Sequence, residues 1–168
     1  MAKDKTVTRR RRAGVTMIEA VGSMVIVSGA MVAALNAVSG ARASQVMVDD
    51  RARARLLAET MMGEVLAQDY AEPGSTTIGP DSGEGGSDIR NQYDDVDDYH
   101  GWLNTVRTPD GTAVPGFEAY KLSFTVVWVN SANPGTPVAS DQGVKRITVT
   151  VTRDTRVVAE LHGWKASP

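Results

Sequence analysis

The residues able to carry chemistry in this chain are few, and most point away from catalysis. His100 and His162 are its only histidines, and there is no cysteine. Disulfides, thiol nucleophiles and cysteine-ligated metals are therefore excluded. No GxxxxGK[ST] loop is present for a nucleotide phosphate, and no strained nucleophile elbow is signalled for a Ser/His/Asp arrangement. The reading is of a chain that is not an enzyme. Two acidic stretches, DSGEGGSD and the aspartates Asp94, Asp95, Asp97 and Asp98, offer the oxygen ligands that Ca²⁺ prefers. Neither has EF-hand spacing, so no cofactor is expected, and a solvated, turn-forming loop is the stronger reading of both. One carboxylate stands apart. Glu19 lies inside the apolar stretch that follows Arg9–Arg12.

Charge is unevenly placed. Of 18 basic and 20 acidic residues, six basic and one acidic precede Gly14, so the remainder is strongly acidic. That distribution argues against a nucleic-acid partner. From Ala20 to Ala41 no residue is charged. A helix of that length reaches about 33 Å, enough to cross a hydrocarbon core of about 30 Å. Gly22, Ser23, Ser28, Gly29, Ser39 and Gly40 dilute the run, and small residues of this kind let helices approach closely in a membrane. The basic cluster predicts a cytoplasmic N-terminus. A secretory signal peptide would have a shorter, uncharged apolar core, and a plain signal anchor gives Glu19 no purpose. A buried carboxylate there costs about 2.5–3.5 kcal/mol unless it finds a partner or snorkels to the headgroups.

Gly14 followed by Val15-Thr16-Met17-Ile18-Glu19, behind a basic leader and ahead of an apolar run, resembles the processing site of type IV prepilins and of the pseudopilins of type II secretion. Val15 stands where phenylalanine is commoner, and Met17 where leucine is; both keep the apolar character. The resemblance implies cleavage between Gly14 and Val15 by a prepilin peptidase and N-methylation of Val15. It also implies that Glu19 pairs with the N-terminal amine of a neighbouring subunit during assembly, a contact that low dielectric would strengthen. It is most like a minor pseudopilin, with a surface type IV pilus or a DNA-uptake pilus as the alternative. A signal-anchored periplasmic domain, enzymatic or calcium-binding, is the rival from another class. Implied partners are other pseudopilins or pilins, the peptidase and an inner-membrane assembly platform. The implied location is the inner membrane by a single pass, with a periplasmic C-terminal domain.

The rest of the chain reads as an α+β head. Beyond the apolar run, Ala54, Leu57, Ala58, Met61 and Val65 recur at helical spacing and predict a packing stripe. Asp49 and Arg53, and Arg55 and Glu59, are spaced for ion pairs along the same helix. The expected organisation is a leader over 1–14, a transmembrane half-helix over 15–41 and an amphipathic periplasmic half over 42–68. An acidic, Gly/Pro/Ser-rich loop region follows over 69–116, then an antiparallel head over 117–168. In that head Leu122, Phe124, Val126 and Trp128 alternate, as do Ile147, Val149 and Val151, and RVVAELHGW follows a hairpin at Asp154-Thr155. SANPGTPVASDQG reads as a loop, since Pro134 and Pro137 bar regular pairing. The expected fold is pilin-like: a long N-terminal helix on a small antiparallel sheet of about three strands.

Overall fold

The computed structural model describes residues 14–74, 77–81, 83–84 and 88–168. The basic cluster of the leader and part of the acidic stretch lie outside these residues. One helix, α1, runs Met17–Ala67, and the chain divides into two compact units between Val46 and Met47.

Within the first unit the helix is uncovered. Val21, Met24, Val25, Ile26, Val27, Met31, Val32, Leu35 and Val38 are all exposed. The helix contains an 18-residue window apolar enough to cross a membrane, and none of that window is buried in the protein. The core helix of a soluble domain would bury such a face, so this segment has the character of a single-pass membrane anchor.

The second unit is α+β. Its strands are β1 (Leu103–Thr105), β2 (Tyr120–Asn130), β3 (Asn133–Pro137), β4 (Val144–Arg153) and β5 (Arg156–Ala166). They form one antiparallel sheet in the order β1-β2-β4-β5, with β3 paired to the far end of β2. The sheet therefore has five strands rather than about three. β1, with three residues, is too short to show alternation in the sequence. β3 lies in the segment expected to be a loop; it pairs only at Val129–Pro137 and Asn130–Asn133, on the sheet's edge, where a proline's missing N–H is tolerated.

β2 and β4 each bury one face. Leu122, Phe124 and Val126 are buried with Ile147, Val149 and Val151, while Thr148, Thr150 and Thr152 face outward and are half-buried. Near the end of β2, Val129 is buried and Trp128 only half-buried, and the pairing with β3 then shifts register between Val129 and Asn130. Asp154 makes the turn between β4 and β5 in the left-handed region (φ 57°), which aspartate tolerates better than most residues.

The helix packs on this sheet through Ala54, Leu57, Ala58, Met61, Met62 and Val65. Burying each larger side chain contributes about 1.5–3 kcal/mol. Two polar contacts fix its direction. Asp50 receives the Tyr120 hydroxyl at 3.0 Å and pairs with Arg153. At the other end Lys165 Nζ donates to the carbonyls of Leu66 (3.0 Å) and Gln68 (2.7 Å), neutralising the exposed C-terminal end of the helix dipole. The segment before β1 completes the core with aromatics: Tyr93 meets Tyr99, and Tyr99 and Trp102 each meet Phe124 of β2, edge to face at centroid distances of 5.1–5.5 Å.

Candidate functional site

Gly14, Val15 and Thr16 precede the helix in irregular, exposed backbone, so the Gly14–Val15 peptide is accessible. A side chain at Gly14 would meet nothing within 4 Å. Thr16 opens the helix: its carbonyl accepts from the backbone N–H of Glu19 at 3.0 Å and of Ala20 at 3.1 Å. Glu19 turns back on the same residue, its Oε2 accepting from the Thr16 N–H and from the Thr16 hydroxyl, both at 3.4 Å. This is one half of a capping box, T-x-x-E, in which the third helical residue satisfies an orphan donor at the cap. The Glu19 carboxylate is thus held locally, at the first turn and exposed. The pairing with Thr16 was available in the sequence as the T-x-x-E spacing.

The four aspartates of DDVDD do not converge on one centre. Asp95 is consumed by backbone: Oδ1 accepts from the N–H of Asp97 (2.6 Å) and Asp98 (3.3 Å), and Oδ2 from Glu72 (2.7 Å). Asp98 Oδ2 accepts from the N–H of Asp94 (3.1 Å) and Asp95 (3.3 Å). Asp97 turns to the sheet and takes the Lys145 ammonium at 2.6 Å, with both side chains buried. Asp94 alone points outward. Its carboxylate joins Glu72 and Glu84, their oxygens lying within 4.8 Å of one another.

Three carboxyls of this region, those of Asp97, Asp98 and Glu72, are raised from their ordinary values. Burial pushes Asp97 up to about 6, with the Lys145 contact opposing it. Burial also pushes Asp98 up to about 7, aided by the neighbouring Asp95 charge and the Glu84 carboxyl and opposed by its backbone donors. Glu72 is raised by its hydrogen bond with Asp81 and by that group's charge.

Lys145 is the residue that periodicity could not flag. It occupies an inward position of β4 and is fully buried. Besides Asp97 it donates to the Tyr70 carbonyl at 2.6 Å and lies 4.1 Å from the Tyr70 ring centroid. Tyr70 in turn donates to Asp141 at 2.5 Å. The segment leaving α1 is also bound to DDVDD by backbone: Asp69 N–H to the Asp94 carbonyl, and Val96 N–H to the Asp69 carbonyl. DDVDD is therefore a latch that ties the end of the helix to the sheet. A second pair, with its arginine buried and its glutamate part-exposed, backs it. Arg90 grips Glu64 of α1 through Nε (2.8 Å) and Nη2 (3.2 Å), and its guanidinium lies 4.7 Å from the Trp102 ring centroid.

The histidines lie apart. His100 Nδ1 accepts the Val126 N–H at 3.1 Å. His162 sits on the outer face of the sheet, near Thr148 and Glu160. A cavity of about 420 Å³ lies beside the latch, between Ala71, Asp97, Trp128, Asp141 and Lys145, and neither histidine lines it.

No family model, curated protein or solved structure matches this chain. Its functional reading rests on its own residues and their geometry.

Proposed function

We propose that this chain is a prepilin-like subunit, in its finer form a minor pseudopilin of a type II secretion system. The observation that carries the reading is an apolar helix left uncovered by the protein and opened by the Gly14-to-Glu19 sequence, with an accessible Gly14–Val15 peptide ahead of it. On this reading a prepilin peptidase cuts after Gly14 and methylates Val15. The helix holds the subunit in the inner membrane with its α+β unit in the periplasm. Glu19, held until then by Thr16, exchanges that local contact for the amine of a neighbouring subunit. The role is mechanical: joining or initiating a fibre built with other pseudopilins on an assembly platform. A minor pilin of a surface or DNA-uptake pilus shares every one of these features, and a neighbouring secretin or retraction-ATPase gene separates the two.

The test is the intact mass of the protein produced with a prepilin peptidase, beside Gly14→Ala. The expected result is a wild-type chain beginning at methylated Val15 and a full-length variant. An uncut wild-type chain, in a host that processes a known prepilin, would leave a signal-anchored periplasmic domain as the reading.

A further inference from the structure

Trp128 of β2 and Lys145 of β4 stand opposite each other in the antiparallel ladder, so their side chains project from the same face of the sheet. The helix stops at Ala67, and Lys145 is covered instead by Tyr70 and Asp97 from the connecting segments. These segments close that end of the face only in part. A cavity of about 420 Å³ remains, lined by Trp128, Lys145, Asp97 and Asp141. Small-ligand sites run from about 300 to about 1,000 Å³.

The cavity is rich in acceptors. Its charged residues are Asp97, Asp141 and Lys145, so one carboxylate is in excess. An ammonium has three N–H donors, and those of Lys145 are engaged by Asp97, by the Tyr70 carbonyl and by the face of the Tyr70 ring. Both carboxylates, by contrast, keep an oxygen free. Asp97 Oδ1 is buried and accepts no hydrogen bond among the described residues. Asp141 takes the Tyr70 hydroxyl at 2.5 Å and the Gly143 N–H at 2.7 Å, both on Oδ1, which leaves Oδ2 open at the exposed rim. The other polar side chains of the lining, Thr77 and Ser140, are hydroxyls that accept as readily as they donate. Trp128, half-buried, supplies an aromatic wall.

We propose that this cavity binds a guanidinium cation, carried by an arginine side chain or by a small alkylguanidine. A guanidinium is flat enough to stack on an indole, and it presents a fork of N–H donors to carboxylates. It lies on Trp128, engages Asp141 Oδ2 at the rim and directs a further N–H toward Asp97 Oδ1, an acceptor whose desolvation is otherwise uncompensated. An anion would face the carboxylate in excess, with no Lys145 N–H left to receive it. An ammonium would answer the charge but not the planar wall. The inference concerns the α+β unit alone and does not depend on the pilin reading.

The experiment is an NMR titration of the isotope-labelled full-length chain in detergent micelles, read at the Trp128 indole N–H and at the amides of Ser140, Asp141 and Lys145. The probes are butylguanidinium and acetyl-Gly-Arg-Gly-amide. The controls are the same peptide with lysine, or with neutral citrulline, in place of arginine. Both guanidinium probes are expected to give saturable shifts at these positions, and the citrulline peptide to bind at least about tenfold more weakly. Tighter binding of butylguanidinium than of the arginine peptide identifies a free small molecule as the source, and the reverse order a protein side chain. Asp141→Asn can still accept from Tyr70 and Gly143 but loses the charge, so it should weaken binding about tenfold. Trp128→Leu, read at the same amides, should weaken it severalfold, and a thermal melt confirms that each variant is folded. The absence of saturable shifts with both guanidinium probes would overturn the proposal. So would a citrulline or lysine peptide that binds as tightly as the arginine one, or binding left unchanged by Asp141→Asn.

Discussion

Lys145 and Asp97 meet at 2.6 Å with both side chains withdrawn from solvent, joining the middle of the chain to the inner face of β4. Breaking such a pair from one side strands an uncompensated buried charge, which costs about 3–5 kcal/mol. Lys145→Met is therefore expected to lower the urea midpoint of the head strongly. Lys145→Met combined with Asp97→Asn should recover much of the loss, because neither charge remains. A double variant as unstable as the single one would show that the pair matters by shape rather than by charge.

Gly163 faces Met62 of the helix so closely that a Cβ built there would lie 2.5 Å from the Met62 sulfur. Glycine ordinarily weakens a strand, so its presence in β5 is explained by this approach. Gly163→Ala should destabilise the head by about 1–3 kcal/mol through overpacking. Shortening the opposing side chain with Met62→Ala in the same chain should return part of that loss. Independent effects of the two substitutions in a denaturation cycle would contradict the contact.

Stability should depend on pH through Asp97 and Asp98. Their folded values, about 6 and about 7, lie above the unfolded value of about 3.9. The folded head therefore holds protons that the unfolded chain releases, and stability falls as pH rises from about 4 to about 7, then levels off. Melting temperatures measured from pH 8 down to pH 5 should rise. Asp98→Asn retains an oxygen for the Asp94 and Asp95 amides and removes the titration, so it should flatten the upper part of that rise. An unchanged slope in the variant would assign the effect to other groups.

Glu19→Gln separates processing from assembly on the pilin reading. It leaves the Gly14–Val15 peptide and the hydrogen-bonding shape of the first turn in place but removes the charge. Intact mass should still show a chain beginning at methylated Val15. Recovery of the subunit in sheared or cross-linked fibres should fall at least about tenfold, the effect expected when a desolvated charge loses its partner. Normal incorporation of the variant would show that charge at this position is dispensable.

How the elements and the site came to be readable follows from the range of the interactions behind them. The period of three to four residues over Ala54–Val65 and the alternation in β2 and β4 are local patterns, set by which face is apolar. The long helix, its packing stripe, the β4–β5 hairpin and the membrane-length apolar run were all open to inspection in the chain itself. Asp97 and Lys145 are 48 residues apart, and no local period marks either as a partner of the other. The same holds for Arg90 with Glu64, and for Lys165 with the end of the helix it caps. The DDVDD segment looked like a solvated loop because four carboxylates in a row normally are. It became a latch because backbone amides, and one lysine delivered by β4, satisfied them once the chain had returned. Residues that must pair inside a fold carry no pattern of their own. The return of the backbone chooses their partners, and desolvation then makes that choice matter.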